Sequence, residues 1–130
     1  MRILLAEDDH ALGQALTAGL RRLGYTVDWI TDGAQAAAAL TDTSYAAAVL
    51  DWNLPRSSGP AIIADMRRRK DATPVLLLTT FDDAELLLRA TEAGAQGFLL
   101  KDAAPDDLRE AILRVARGET LLQPVSTDAV

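Results

Sequence analysis

Two hydrophobic patterns alternate along the chain. Short apolar runs rich in Val, Ile and Leu fall at residues 3–6, 27–30, 46–50, 75–78 and 98–100. Their length and lack of alternation predict strands buried on both faces. Between them, apolar residues recur at helical spacing. Leu12, Leu16, Leu20 and Leu23 form a stripe that Gly24 ends, and Leu108, Ala111, Ile112 and Val115 form another, with Pro105 at its start and Gly118 past its end. Weaker helical patterns cover 34–40, 60–70 and 84–93. Five strands alternating with five helices predict an α/β protein whose parallel sheet is covered on both faces and wound right-handedly. The periodicity is lost over 119–130, which contain Pro124, and this stretch is expected to be a tail or a truncated linker after a domain at 1–118.

Composition narrows the function. A chain of 130 residues suits one domain able to bury a core of its own. With no cysteine there is neither a disulfide framework nor a zinc thiolate site, which fits a reducing cytoplasm. No apolar run approaches the ~20 residues of a membrane helix. The first residues pass from one Arg straight into a strand pattern, so no secretory signal is expected. A net charge of −6 would be repelled by the phosphates of DNA, so no direct nucleic-acid binding is expected of this segment.

In open α/β sheets, functional groups collect beyond the carboxyl ends of the strands. The first strand is followed by Glu7, Asp8 and Asp9, and the third by Asp51 with Asn53 two positions on. The fourth closes with Thr79 and Thr80, and the fifth with Lys101. Two carboxylates ~4 Å apart repel by about 1 kcal/mol in water and about 4 kcal/mol at an effective dielectric near 20. Such a cluster therefore calls for a cation or for protons. All-oxygen ligands with no Cys or His select a hard ion such as Mg²⁺. A carboxylate beside that ion, with a lysine to offset charge, suits phosphoryl transfer. Aspartate can form an acyl phosphate, and Asp51 is the candidate nucleophile.

Taken together, AEDD at 6–9, LDWNLP at 50–55, LLLTT at 76–80 and GFLLKD at 97–102 resemble the receiver domain of two-component response regulators. The resemblance runs over about residues 2–118. It implies a flavodoxin-like (βα)5 doubly wound sheet with strand order 2-1-3-4-5. It further implies that Asp51 accepts phosphate from a sensor histidine kinase. Mg²⁺ would be held by Glu7, Asp8, Asp51 and the backbone carbonyl of Asn53. Thr79 and Lys101 would contact the phosphoryl oxygens, and Phe98 would be the switch aromatic that follows Thr79 inward. Asp51 is expected rigid at its strand end with its carboxylate facing solvent, and Pro55 and Gly59 would shape the loop after it. The switched surface would be the face of the fourth helix, fifth strand and fifth helix, a possible homodimer contact, controlling a DNA-binding output domain or another partner. The first half of the chain resembles receivers of the winged-helix (OmpR-like) class and the second half those of the helix-turn-helix (NarL-like) class.

Plainer readings stand beside these. Asp9 is expected to cap the first helix, and His10 to be an exposed neighbour of the acids. The run at 67–70 would end a helix in favourable charge. Thr79, Thr80 and Lys101 are by default strand-end and surface residues, and Phe98 is by default core. Three functional alternatives remain: a phosphate-independent receiver-like interaction module, a haloacid-dehalogenase-type aspartyl phosphatase, and a flavodoxin-like cofactor binder. The phosphatase would need an acid where Asn53 stands. The cofactor binder would need a phosphate-cradling loop where Glu7, Asp8 and Asp9 stand.

Overall fold

The computed structural model describes residues 1–81 and 83–122. Ten elements alternate: β1 (Arg2–Ala6), α1 (His10–Arg22), β2 (Thr26–Ile30), α2 (Gly33–Asp42), β3 (Ala47–Asp51), α3 (Gly59–Arg68), β4 (Val75–Thr79), α4 (Ala84–Ala93), β5 (Gly97–Leu100) and α5 (Pro105–Ala116). The strands form one parallel sheet in the order β2-β1-β3-β4-β5. This is the flavodoxin-like arrangement implied by the resemblance.

The continuous apolar runs are strands because both of their faces are covered. Every residue of β3 and β4 is buried, and alternate side chains enter two separate cores. Leu4, Leu50 and Leu77 pack with Ile62, Ile63 and Met66 of α3 on one face, while Ile3, Leu5, Val49, Leu76 and Leu78 pack with Leu16, Leu20, Leu108 and Ile112 on the other. Burying each such Leu or Ile stabilises the fold by about 1.5–3 kcal/mol. The helix starts follow local chemistry. Asp9, Asp32, Ser58 and Asp83 accept first-turn backbone N–H groups of α1 to α4, and α5 opens on Pro105 without a side-chain cap.

Two stretches do more than expected, although the basic run does end α3, with Arg67 and Arg68 in its last turn. The segment after α5 does not leave the domain at once: Leu121 forms a parallel bridge with Gly97. Its N–H donates to the Gln96 carbonyl at 2.7 Å, and its carbonyl accepts from Phe98 N–H at 3.3 Å. Leu121 packs against the α1/α5 core and Leu122 against the α3/α4 core, so this segment straddles the sheet edge. The remaining tail positions, 123–130, lie outside the described residues. In the basic run, Arg68 and Arg69 pair with Asp65 on the helix surface. Arg67 instead turns inward and donates to the carbonyls of Asp71, Thr73 and Gly94 and to Gln96 Oε1. It ties the end of α3 to the end of α4, a packing role that a run of four basic residues does not reveal.

Candidate functional site

The parallel sheet carries every strand-end candidate to one edge. Asp51 is the last residue of β3, Thr79 the last of β4, Glu7 and Asp8 follow β1, and Lys101 follows β5. Backbone bonds fix these ends to one another: Trp52 N–H donates to the Leu78 carbonyl at 2.8 Å and Lys101 N–H to the Thr79 carbonyl at 2.8 Å. The loop after Asp51 is closed by Gly59 N–H on the Trp52 carbonyl and by Gly33 N–H on the Pro55 carbonyl. Gly59 is required there, since a Cβ would lie 2.8 Å from the Asp51 carbonyl oxygen.

The carboxylate of Asp51 does not face solvent as the sequence suggested. Asp51 is only 3% exposed. The reason is Lys101, whose Nζ spans two acids, 2.8 Å from Asp51 Oδ2 and 2.9 Å from Glu7 Oε2. Its ammonium, on a side chain only 15% exposed, lies against both acids and offsets their charge, so it is not the freely solvated lysine of the default reading. Asp51 Oδ1 accepts from Asn53 N–H at 3.2 Å.

Glu7, Asp8 and Asp51 each present a carboxylate oxygen, and these oxygens lie within 4.8 Å of one another. Glu7 has no exposure at all. Burial pushes its carboxyl from 4.5 up to about 7, although Asp9 N–H and Lys101 act to lower it, with the Asp51 charge adding to the rise. Its Oε2 is bonded to Asp9 N–H and to Lys101, while Oε1 is buried without a hydrogen-bond partner. Asp8 is exposed. Partial burial opposes its ionisation, yet hydrogen bonds with Asp51 and Glu7, its own backbone N–H and the Lys101 charge together hold it below the usual carboxylate range. The Lys101 ammonium is held above its ordinary value: burial works against it, and the bonds to Asp51 and Glu7 outweigh burial.

The other candidates fall into place around this core. Asp9 turns away from the cluster and caps α1, accepting from Ala11 and Leu12 N–H. Thr79 is buried with its Oγ1 accepting from Phe81 N–H at 3.2 Å, while Thr80 is exposed. Phe98 is buried, edge-on to Trp52 with ring centroids 6.1 Å apart. His10 is exposed and meets the edge of Trp29 at 5.4 Å. Trp29 itself was missed from the sequence, although its indole Nε1–H donates to the Glu7 carbonyl at 2.9 Å. The only available signal was an aromatic near the end of a strand neighbouring the acids.

An orphaned buried carboxylate oxygen beside two further acid oxygens fits a hard divalent cation, which would supply the missing partner. Among the described residues no helix is long and apolar enough to cross a membrane.

The chain is similar to known proteins in sequence and in fold. The model of the response regulator receiver domain matches residues 3–113. The response regulator protein PmrA of Pseudomonas aeruginosa is 42% identical over 120 residues, covering 92% of this chain and 54% of that protein. The transcriptional regulatory protein QseB of Escherichia coli O157:H7 is 37% identical over 122 residues, covering 92% of this chain and 56% of that protein. The chain thus spans about half the length of these relatives. The signal receiver domain of the putative response regulator NarL from Mycobacterium tuberculosis superposes with a TM-score of 0.83 at 28% identity, over 91% of this chain and 97% of that one. The receiver domain of the Francisella response regulator 1452 has the same fold, with a TM-score of 0.84 at 23% identity over 90% of this chain and 97% of that one. With its strand order, its acid cluster and its match to the family model, this chain belongs to the response regulator receiver domain family, whose members signal rather than turn over a substrate.

Proposed function

We propose that this domain accepts a phosphoryl group on Asp51 from the phosphohistidine of a sensor histidine kinase and passes the change to an output segment. The observation that carries the reading is one arrangement: a carboxylate rigid at the end of a buried strand, with two further acids and an ammonium against it. Glu7, Asp8, Asp51 and the backbone carbonyl of Asn53 would hold Mg²⁺. Bound there, the ion would offset the repulsion between these acids and an incoming phosphoryl group.

The transfer itself belongs to the chain's own residues. A carboxylate oxygen of Asp51 attacks phosphorus in line with the donor nitrogen. The P–N bond breaks with its electron pair returning to that ring nitrogen, so imidazole leaves and an acyl phosphate forms. Strand packing on both sides holds Asp51 in place, so little reorganisation is required. Lys101, already 2.8 Å from Asp51, turns its ammonium to a phosphoryl oxygen. Thr79 exchanges its contact with Phe81 N–H for a donated bond to another.

Phosphorylation replaces one negative charge with about −1.5 to −2 and three strong acceptors. Thr79 and Lys101 satisfy them only by moving, and Phe98 follows toward the space that Thr79 leaves. The face of α4, β5 and α5 then changes, as a surface for a second copy or for an output domain that binds DNA. This cycle makes the domain a catalyst only of its own phosphorylation and dephosphorylation, in the cytoplasm where kinase domains supply phosphohistidine. Residues 1–118 would form the receiver and 119–130 the start of a connection to the output domain. The test is incubation with Mg²⁺ and acetyl phosphate followed by intact mass. Wild type should gain one phosphoryl mass and Asp51→Asn none; equal labelling of both, or of neither, overturns the reading.

A further inference from the structure

We propose that Trp29 is a positioning residue for the acid cluster: its indole N–H, seated in the space left by Gly13, fixes the Glu7 backbone and so the approach of Glu7 and Asp8 to a divalent cation. This inference rests on the Mg²⁺ site of the proposed function. It concerns a residue of β2, a strand that contributes no ligand.

Glu7 stands one position beyond the last β1–β2 pair, Ala6 with Ile30. There a chain normally begins to loosen into loop. Here both polar groups of its backbone are held by β2: its N–H donates to the Ile30 carbonyl at 3.0 Å, and its carbonyl accepts from Trp29 Nε1 at 2.9 Å. Only a side chain with a donor at the far end of a long flat body makes that second bond while filling the gap beneath α1.

The gap is specific to the indole. A Cβ at Gly13 would overlap the Trp29 ring at three of its atoms. Gly13 N–H donates to the Asp9 carbonyl, so the turn packed on the indole is the same turn that Asp9 caps. His10 meets the ring edge from the loop side. Trp29 therefore meets the segment from Glu7 to Gly13 at three points: the Glu7 carbonyl, His10 and Gly13.

The need for this brace follows from charge. Glu7, Asp8 and Asp51 would lower their mutual repulsion by spreading apart if the loop were free to relax. Holding the backbone of Glu7 removes that escape, and the repulsion becomes affinity for a cation that neutralises it. A group that orients a ligand without touching the ion commonly changes metal affinity by about 10- to 100-fold.

Trp29→Phe keeps an aromatic ring on β2 but deletes the donor together with the part of the indole that lies against Gly13. Isothermal titration calorimetry with Mg²⁺, alongside thermal melts of the same metal-free proteins, separates positioning from packing. The expected result is a Kd about tenfold weaker at a temperature where the melts show the variant folded, with a Tm lowered by the lost ring volume and acetyl phosphate labelling restored once Mg²⁺ is raised to saturate the variant. A Kd within twofold of wild type, whatever the Tm, overturns the inference. Should Trp29→Phe fail to fold, the wild-type indole N–H of Trp29 is followed by NMR during Mg²⁺ titration. A shift saturating with the calorimetric Kd supports the brace, and an unmoved resonance overturns it. Wild type that takes up no Mg²⁺ overturns the parent reading and this inference together, whereas tight binding equal in wild type and variant overturns this inference alone.

Discussion

Replacing Glu7 with Gln isolates the electrostatics of the site. Glu7 is fully buried, and its carboxyl is pushed from 4.5 to about 7, chiefly by burial. Between those values the folded, metal-free chain keeps a proton that the unfolded chain releases. The folded state therefore has its full advantage below about pH 4.5 and loses it as pH climbs through about 7. At about 1.4 kcal/mol per pH unit across that window, the loss attributable to Glu7 is about 3 kcal/mol. Gln preserves the shape and does not titrate. Urea unfolding in the presence of a chelator, repeated across this range, should give a stability difference, variant minus wild type, that grows by about 3 kcal/mol and then levels off above pH 7. Groups that do not interact with Glu7 titrate alike in both proteins and cancel in the difference, whereas Asp8 and Lys101, which do interact with it, add smaller terms of their own. A difference constant with pH, or one that shrinks as pH rises, would refute the reasoning. Added Mg²⁺ should raise the stability of wild type well above pH 7 and leave Glu7→Gln nearly unaffected.

Further outcomes follow from the same contacts. Lys101→Met strands Glu7 and Asp51 without their shared cation, so metal-free stability above pH 7 should fall by about 3 kcal/mol in urea melts, with Mg²⁺ recovering much of it; an unchanged midpoint would contradict this. Gly59→Ala places a methyl 2.6 Å from Leu77 and 2.8 Å from the Asp51 carbonyl oxygen, and should cost about 1–3 kcal/mol while shifting the Asp51 amide resonance. Arg67→Ala leaves the Gly94, Asp71 and Thr73 carbonyls short of a donor and should lower stability by about 3 kcal/mol in thermal or urea unfolding, with Arg67→Lys restoring only part. A loss under 1 kcal/mol would assign Arg67 to the surface after all.

The fold was legible because doubly covered strands leave an unusual trace: runs such as residues 75–78 have no polar face to alternate with. Helix ends were legible for local reasons, Gly24 and Gly118 lying just past α1 and α5 and Pro105 opening the latter. Strand-end acids could be gathered to one edge because parallel topology alone requires it. What escaped depends on contacts between residues far apart in sequence. Whether Asp51 faces water is decided by Lys101, 50 positions later, and nothing local to LDWNLP reports that reach. The pairing of Gly13 with Trp29 requires knowing that α1 crosses β2. Arg67 looks like its basic neighbours until the Gly94 turn is seen beside it. Leu121 and Leu122 lack periodicity because they lie at a sheet edge, where two residues already suffice to join both cores.

The central claim is the identity of the atom that takes the phosphate, and reductive trapping tests it most directly. After reaction with acetyl phosphate and Mg²⁺, borohydride reduces an acyl phosphate to the corresponding alcohol, so an aspartyl phosphate becomes homoserine and can be located by peptide mass spectrometry. Conversion should appear at Asp51 and vanish when Mg²⁺ is chelated. Conversion at another carboxylate, such as Glu7 or Asp8, or none in a protein shown to be folded, would contradict the account.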